Sequence, residues 1–289
     1  MNLRRFGDDD RDAVAALSRH ALARLEEQVG VPLWATRAEL DSNLADWVGP
    51  PADSLRVIED AGEVAAFGGL QQGGVSAVVG PLVAPRFRGQ KMGSRLLQES
   101  IDLARASHTE WLIAAVGPRN VGGRLLLERH GFRSRGGVDA VYRLLPSEHR
   151  PAGAAPPGVR VRPGAVHDLD RIWHLYREAF PIGRRSEDVW RRWLDAGEVL
   201  VAERETSTVA FVHIEPVARW ITHVGVAEEA RGLGVGGFLF STAVDSWWRE
   251  RPGSELRLSV KPDNMPAIRV YRRLGFAPWL VLQSFEFSL

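Results

Sequence analysis

Apolar residues recur along this chain with two periods, one typical of strands and the other typical of helices. Four short apolar runs in the first half are bounded by turn residues, which is the pattern of buried strands. These runs are Leu55–Glu59, Val64–Leu70, Ser76–Val83 and Trp111–Val116. Leu97, Ile101 and Ala104 fall at positions i, i+4 and i+7 and predict a helix with one buried face. The first half is therefore predicted to be α+β.

The second half repeats this order of elements. Its predicted strands are Val199–Ala202, Thr208–Glu215, Trp220–Val226 and Leu256–Val260. Phe240, Val244 and Trp247 repeat the helical triplet 143 residues further on. Each half also opens with a short strand and a helix that has an acidic start. These are Leu3–Phe6 with a helix near Asp8–Glu27, and Val159–Arg162 with a helix near His167–Ala179. A short helix in each half is predicted to end at a glycine, Gly131 or Gly275.

Sequence motifs repeat together with the elements. Arg88 and Arg231 lie in similar glycine-containing turns 143 residues apart, and Asn120 and Asn264 lie 144 residues apart. A spacing that is kept within one residue between separate motifs indicates two copies of one domain. The stretch between them is rich in Pro, Ala and Gly, as expected of a surface linker. The predicted organisation is an N-terminal domain over residues 1–146, a linker over 147–158 and a C-terminal domain over 159–289.

Composition narrows the function class without changing the fold. A length of 289 residues suits two domains of roughly 150 residues each. The net charge of +1 argues against a dedicated nucleic-acid surface. No apolar stretch approaches the roughly 20 residues that span a bilayer, and the N-terminus lacks the apolar core of a secretory signal. The absence of cysteine excludes disulfides, thiolate metal sites and a cysteine nucleophile. We expect a cytoplasmic protein with no nucleic-acid or membrane partner.

The turn from Arg231 to Gly237 is the main candidate binding site. It joins a predicted strand to a predicted helix, and the free N–H groups at a helix start receive anions readily. Glycines let a diphosphate approach the backbone closely, although a tight turn without a ligand would use the same residues. A dinucleotide fold is disfavoured, because Ala227–Arg231 separate the strand from the glycines and Lys261 ends the next strand. A mononucleotide P-loop is excluded, because no Gly-Lys-Ser/Thr follows.

Two motifs of the second half resemble those of the GNAT superfamily of N-acetyltransferases. Arg231, Gly234 and Gly236 match the Arg-x-x-Gly-x-Gly loop that binds the pyrophosphate of acetyl-CoA. The segment Asn264–Phe276 matches the later motif Asn-x-x-Ala-x-x-x-Tyr-x-x-x-Gly-Phe at every position. The resemblance implies two tandem α/β/α sandwiches, each with a mixed, mostly antiparallel sheet between helices. The tandem arrangement is similar to that of mycothiol synthases, with no substrate implied.

The resemblance also implies a reaction and roles for residues. Acetyl-CoA would be the acyl donor, a primary amine would attack its thioester directly, and no metal would take part. The main chain at Val226 would bind pantetheine and polarise the acetyl carbonyl, and Tyr271 would protonate the departing sulfur. The full set of implied coenzyme-binding residues is Val224, Val226, Arg231, Gly232, Leu233, Gly234, Val235, Gly236, Gly237, Asn264 and Tyr271. Asn264 is equally suited to cap a helix, and Tyr271 to be a half-buried core residue.

The general base is less well defined. Glu215, which closes a predicted strand, is the preferred candidate; His213, His223 and a chain of water molecules are alternatives. Because side chains alternate along a strand, His223 is expected on the face opposite Thr222 and Val224. Trp173, Trp190 and Trp193 belong to the helices that border the acceptor pocket in this family, where they are expected to line the pocket or the core.

The first copy departs from the family pattern. Lys91 replaces the first defining glycine, Gly123 replaces the alanine of the later motif, and Leu127 stands at the tyrosine position. Leucine cannot donate a proton, so this copy is expected not to catalyse by the same acid. Whether it binds acetyl-CoA stays open.

Two classes of function follow from these observations. The first is an acetyl-CoA-dependent N-acetyltransferase that acts on a small-molecule or peptide amine from the C-terminal domain. The second is a non-catalytic acyl-CoA-binding sensor or regulatory protein. For the assembly, we expect either a monomer, in which the two copies form an internal pseudo-dimer, or a homodimer.

Overall fold

The computed structural model describes residues 1–23, 34–47, 49–72, 76–151, 153–181 and 185–289, with the backbone alone at 137–139. The strands are β1 Asn2–Arg5, β2 Leu55–Asp60, β3 Glu63–Gln71, β4 Ser76–Val83, β5 Trp111–Val116, β6 Arg133–Leu144, β7 Val159–Pro163, β8 Val199–Arg204, β9 Ser207–Glu215, β10 Trp220–Val226, β11 Leu256–Val260 and β12 Ala277–Ser288. The helices are α1 Arg11–Leu22, α2 Arg37–Ala45, α3 Pro51–Ser54, α4 Met92–Ala106, α5 Val121–Arg129, α6 Leu169–Ala179, α7 Glu187–Asp195, α8 Val235–Glu250 and α9 Met265–Arg273.

The chain forms two compact units whose bounds differ from those of the sequence repeats. Unit 1 is Met1–Asp139 together with Leu280–Leu289, and unit 2 is Ala140–Trp279. Most of the last strand of the chain thus belongs to unit 1, and the end of β6 belongs to unit 2. The boundaries given by the repeats describe where similar sequence begins and ends, and they stay a prediction.

Unit 2 contains one mixed sheet in the order β7-β8-β9-β10-β11-β6. Neighbouring strands are antiparallel except for β10 and β11, which are parallel. Leu256–Val260 pairs with Ala140–Leu144, so the sheet ends on residues that the sequence repeats place in the N-terminal domain. The sequence predicted β11, but it predicted neither β6 nor this pairing.

Contacts of side chains show which helices cover each face of that sheet. Trp190 of α7 packs edge-on against Phe211 of β9, with ring centroids 5.1 Å apart. Tyr176 of α6 lies against the same tryptophan at 5.0 Å. Near the start of α8, a Cβ placed on Gly236 would lie 3.0 Å from Cγ2 of Val226 on β10. Since the register puts Phe211 and Val226 on opposite faces, α6 and α7 cover one face and α8 covers the other.

Unit 1 has the same architecture, with strand order β1-β2-β3-β4-β5-β12. Its parallel pair is β4 with β5, and β12 pairs antiparallel with β5 over Gln283–Ser288. The predicted α+β class, with two tandem domains that each have a mixed, mostly antiparallel sheet between helices, is confirmed. Helix α1 is preceded by a 3-10 turn at Asp8–Asp10; residues 24–27 of the helix predicted here lie outside the described residues.

Each unit joins its first strand to its first helix with an ion pair whose carboxylate is buried. In unit 2, Arg162 binds both oxygens of Asp168 at 2.7 and 2.8 Å, and Thr208 donates to the same carboxylate at 2.8 Å. In unit 1, Arg4 and Asp10 make the same paired contact. Burial alone would raise the pKa of Asp168, but these hydrogen bonds and that of the Ala165 N–H hold it well below its usual value. The carboxylate therefore stays charged and ties strand to helix.

Candidate active site

The site begins where the parallel strands β10 and β11 separate. Among the described residues, the two strands are paired only at Trp220 and Ile221 of β10. On its other side β10 stays paired with β9 as far as Val226. Beyond Ile221, one edge of β10 therefore carries main-chain groups that β11 does not bind.

The main-chain groups of Val224 and Val226 point towards this open edge. The N–H of Ala227 donates to the carbonyl of Val209 on β9 at 2.8 Å. Successive residues of a strand direct their polar groups alternately to the two sides, so Val226 and Val224 face away from β9. Arg231 agrees with this direction, because its Nε donates to the Val226 carbonyl at 3.1 Å. An edge of this kind can bind an extended ligand that contains amides.

The glycine-rich turn ends in an uncapped helix start. Gly232 and Gly234 both have positive φ, of 76° and 80°, a conformation that glycine adopts without strain. Helix α8 begins at Val235, and among the described residues no side chain caps its start. The N–H groups of Val235, Gly236 and Gly237 therefore have no intrahelical partner. Together with the helix dipole they form a favourable place for an anion.

Side chains of this turn leave the main chain accessible. Leu233 is half exposed. The guanidinium of Arg231 is folded back on Val226, where it holds the end of β10 to the turn. A ligand at this turn would accordingly be held by backbone N–H groups.

Helix α9 carries the later motif. The Asn264 side chain accepts a hydrogen bond from the Ala267 N–H at 3.3 Å, so it caps α9 as the residue type suggests. Tyr271 lies in the last turns of α9 with its ring against Phe240 of α8, at a centroid distance of 4.9 Å. Burial raises the pKa of Tyr271 to about 12. The phenol is therefore protonated throughout the physiological range and can donate its proton.

A groove of about 490 Å³ lies between the start of α8 and the end of α9. Gly234 and Gly237 line one side, Val270 and Arg273 line the other, and linker residues 153–157 form a third wall. The groove thus continues directly from the uncapped helix start. It is large enough for part of a nucleotide, and Arg273 adds a positive charge to it.

Glu215 is placed differently from what a free base requires. It is 8% exposed. Its carboxylate accepts hydrogen bonds from the N–H groups of Val217, at 3.1 Å, and Ala218. These bonds close the turn between β9 and β10. Its prediction as the base is not tested by this geometry, but the carboxylate has a structural role in the turn.

Both candidate histidines lie in one hydrogen-bonded cluster beneath α6 and α7. The Oγ1 of Thr222 is 2.5 Å from Nδ1 of His213 and 2.7 Å from Nδ1 of His223. The Nε2 of His213 is 3.2 Å from a carboxylate oxygen of Glu198. Burial, and then the charge of Arg185, lowers the pKa of His213 to about 3. Burial, and then the charges of His213 and Arg185, lowers the pKa of His223 well below its usual value. Both rings are therefore neutral near pH 7.

A β-bulge explains why Thr222 lies beside the histidines. The register of β10 against β9 shifts between Ile221 and His223. The shift interrupts the alternation of faces, so the expectation that Thr222 and His223 point to opposite faces is wrong at this point. Thr222 and Glu198 were not among the candidate residues. No sequence motif marks them, because only the bulge and the position of Glu198 before β8 bring them to His213.

The tryptophans of α7 enclose this cluster. Trp190 is fully buried and Trp193 is nearly so. The indole of Trp193 is stacked on the ring of His213 at 3.8 Å, and its distance to the ring of His223 is 5.4 Å. Trp190 and Trp193 together form one apolar wall over the imidazoles of His213 and His223.

In unit 1, the turn that matches the glycine-rich turn has kept its backbone shape. Lys91 stands at the position of Gly234 and has the same left-handed conformation, with φ of 62°. Arg88 donates to the Val83 carbonyl at 3.4 Å, as Arg231 does to Val226. The turn of unit 1 therefore differs from that of unit 2 in its side chains more than in its path.

At two other positions unit 1 lacks a group that unit 2 has, namely the N–H of Val224 and the phenol of Tyr271. Pro81 stands at the position of Val224 and has no N–H to offer a ligand. Leu127, at the position of Tyr271, is fully buried. Unit 1 thus lacks the main-chain donor at the position of Val224 and the phenol at the position of Tyr271.

No helix in the described ranges is long and apolar enough to cross a membrane. No group of three or more metal-ligating side chains was found in the same part of the chain.

The sequence matches the family model described as the acetyltransferase (GNAT) family over residues 19–132 and 169–276. These two matches cover more than half of the chain, and the chain therefore belongs to the GNAT acetyltransferases. It is an N-acetyltransferase built of two tandem domains of that family. The predicted enzyme class and the predicted tandem organisation are therefore confirmed.

Several proteins similar to this chain are mycothiol acetyltransferases. The chain is 27% identical over 274 residues to that of Tsukamurella paurometabola, covering 82% of this chain and 89% of the relative. It is 29% identical over 256 residues to that of Thermobispora bispora, with coverage of 81% and 83%.

Solved structures of similar fold include two that span nearly the whole chain. A GCN5-related N-acetyltransferase from Sphaerobacter thermophilus has a TM-score of 0.77 at 23% identity, with 99% of this chain and 95% of that chain covered. A tandem GNAT protein from the clavulanic acid biosynthesis pathway, solved without AcCoA, has a TM-score of 0.74 at 18% identity, with coverage of 99% and 98%. At these identities the likeness shows the fold.

Proposed function

We propose that this chain transfers the acetyl group of acetyl-CoA to a primary amine by direct attack, and that the active site lies in unit 2. One observation carries the proposal. The open edge of β10, the uncapped start of α8 and the phenol of Tyr271 occur together in unit 2. At the matching positions unit 1 has Pro81, Lys91 and Leu127.

Main-chain groups would make most of the contacts with acetyl-CoA. The N–H groups from Gly232 to Gly237 would receive the pyrophosphate, since no side chain competes for the start of α8. Pantetheine contains amides, and the open main-chain groups of Val224 and Val226 suit them. The same edge would polarise the acetyl carbonyl, where a preorganised donor contributes about 3–4 kcal/mol to catalysis.

Tyr271 would supply the proton that the leaving thiolate takes up. A phenol whose pKa is raised to about 12 is protonated at every pH at which the enzyme would work. Its position beside Phe240 on α8 places it next to the helix whose start would hold the pyrophosphate. Asn264 supports this arrangement by capping α9.

The acceptor is proposed to be a small-molecule or peptide amine. Several similar proteins are named mycothiol acetyltransferases, and small-molecule amines are the first acceptors to test. Near-neutral net charge gives no long-range preference for an acidic or a basic acceptor.

Release of free CoA thiol from acetyl-CoA would test the proposal directly. A thiol reagent can follow the reaction without background from the protein, because the chain has no cysteine. The amines would be glucosamine, spermidine, lysine, kanamycin and a tetrapeptide with a free N-terminus. We expect at least one amine to raise thiol release well above hydrolysis. Tight binding of CoA with no active amine would instead favour the acyl-CoA-binding sensor.

A further inference from the structure

Four side chains of unit 2 form a continuous chain of hydrogen bonds across β9 and β10. Its order is Glu198, His213, Thr222 and His223, with separations of 3.2, 2.5 and 2.7 Å. His213 in the middle is fully buried, whereas Glu198 and His223 at the ends are only partly buried. We refer to these four residues as the relay.

The fold does not need the relay. In unit 1 the position 144 residues before His213 is Gly69, and the position 143 residues before His223 is Gly80. Strands β3 and β4 of unit 1 still pair with each other and still open from β5 after a short parallel contact. At the matching positions unit 1 has glycines, and the two imidazoles packed against tryptophan lie in the unit that keeps Tyr271.

The donors and acceptors along the relay can point in only one direction while Glu198 is ionised. A carboxylate only accepts, so the Nε2 of His213 must carry a hydrogen and its Nδ1 must accept. The hydroxyl of Thr222 has a single hydrogen, and it donates this hydrogen to Nδ1 of His213. Its oxygen can then only accept from His223, so Nδ1 of His223 must carry a hydrogen and donate it to Thr222. In a neutral ring this leaves Nε2 of His223 without a hydrogen.

We propose that His223 is the base of acetyl transfer, and that Glu198, His213 and Thr222 are positioning residues that keep its Nε2 unprotonated. This inference rests on the proposed function. His223 directly precedes Val224 on β10, at the point where the strand edge opens. Among the described residues, no other group lies within hydrogen-bond distance of its Nε2, so the lone pair is available to the amine of the acceptor.

The step is balanced as follows. The amine nitrogen bonds to the acetyl carbon, the carbon–sulfur bond breaks, and the phenol of Tyr271 gives its proton to the sulfur. The proton that the nitrogen must lose passes to Nε2 of His223. His223 and Tyr271 then return to their starting states by exchange with water, so that the net products are an amide and a thiol.

A weak base is sufficient for this step. The proton is lost from a nitrogen that has already begun to bond to the acetyl carbon and is much more acidic than a free ammonium. The charged neighbours of the relay are Arg185, which disfavours protonation of both rings, and Arg251, which lies near Glu198. The partly buried Glu198 carboxylate is the opposite charge that stabilises the transient imidazolium through Thr222 and His213. The same logic orients the histidine of a Ser-His-Asp triad.

The tautomers of the two rings give a test that does not depend on activity. Protein labelled with ¹⁵N-histidine would be studied at pH 7.5 by long-range ¹H–¹⁵N correlation, with His213→Gln and His223→Gln used for assignment. We expect His213 to carry its hydrogen on Nε2 and His223 on Nδ1. In Thr222→Val, His223 should lose this fixed tautomer, while Thr222→Ser should keep it. A wild-type His223 with its hydrogen on Nε2 would overturn the relay.

Kinetics with the fastest amine of the panel give the second test. We expect His223→Gln to lower kcat by about 10²-fold or more, the usual size of a lost general base. Thr222→Val should lower kcat at least tenfold with KM for acetyl-CoA unchanged, and Thr222→Ser should restore it. His174→Ala, an exposed histidine of α6, is the control and should leave kcat unchanged.

The outcomes separate the two proposals. A wild-type chain that acetylates no amine would overturn the proposed function and the role of His223 within it. An active wild type whose Thr222→Val and His223→Gln variants retain full kcat would overturn the relay alone. Loss of activity in Thr222→Val with no change in the His223 tautomer would also contradict it, because the proposed link between the two would be missing.

Discussion

Tyr271 and Leu127 stand at the same position of two copies of one domain, and only the first can donate a proton. Both side chains pack against apolar neighbours, so either is compatible with the core. The choice of a phenol in unit 2 is therefore best explained by chemistry. The same reasoning applies to His213 and His223, which match glycines in unit 1.

Replacing the phenol should separate binding from chemistry. Tyr271→Phe keeps the ring packed on Phe240 and removes only the acidic proton, so we expect kcat to fall about 10²-fold while the Kd for CoA changes little. Steady-state kinetics and calorimetry would measure the two quantities. Tyr142→Phe is the matched control, since this buried tyrosine of β6 is outside the proposed site. Equal losses in both variants would contradict the role of Tyr271.

The pH profile should show the raised pKa of the same phenol. Because burial raises the pKa of Tyr271 to about 12, ionisation removes the acid only as the pH rises towards 12. We therefore expect no loss of kcat from this group up to pH 10, in a profile measured with an amine that is already neutral there. A descending limb near pH 10 that disappears in Tyr271→Phe would contradict this.

Assigning the general base to Glu215 or to His223 predicts opposite effects of the Glu215→Gln substitution. If His223 is the base, Glu215→Gln should keep kcat within about threefold and lower the free energy of unfolding by about 1–2 kcal/mol, because it weakens the bonds to the β9–β10 turn. If Glu215 is the base, kcat should fall by about 10²–10⁴-fold. Glu229→Gln, at an exposed carboxylate on the turn before Arg231, is the control.

Most elements of the fold follow from sequence periodicity, but some of their partners do not. The core strands Thr208–Glu215 and Trp220–Val226 are predicted at nearly their observed bounds, because their apolar residues are continuous or β-branched. Strand β6 is absent from the predicted elements, since its glycines and arginines weaken the alternation. The pattern of apolar and polar residues along a strand also does not determine which other strand it pairs with.

Some residues of the candidate site could be predicted from local sequence motifs, and others could not. The turn around Gly234 and the motif of Asn264 and Tyr271 are local in sequence and could be found there. Glu198 and Thr222 could not, because their contact with His213 depends on strand register and on the bulge in β10.

The glycine-rich turn offers a test at the scale of an element. In Gly234→Asp, a carboxylate would lie at the helix start and repel the pyrophosphate, so we expect CoA binding to weaken at least tenfold, about 1.4 kcal/mol. Lys91 shows that this turn accepts a side chain in the same conformation. Gly253→Asp has the same φ of 80° in open space and is the control for backbone strain. Calorimetry that finds both variants equal to wild type would contradict the anion site.

At the scale of the molecule, His213 should make stability depend on acidity. Its pKa is about 3 in the folded chain and near 6.5 when unfolded, so between these values the unfolded state binds more protons. Stability from this residue is complete above pH 6.5 and is lost as the pH falls towards 3, by at most about 5 kcal/mol. We expect His213→Gln to show a shallower loss in denaturant titrations across this range, and His174→Gln to match wild type.

The position of β12 reverses the order in which the two units can be completed during translation. Residues Met1–Asp139 of unit 1 are synthesised before unit 2, yet the sheet of unit 1 also includes Leu280–Leu289, which are synthesised after unit 2. Until then the outer edge of β5 lacks its native strand, and an open edge readily pairs with other chains. Unit 2, from Ala140 to Trp279, is synthesised completely before Leu280–Leu289 are added. The half that is made first is finished last.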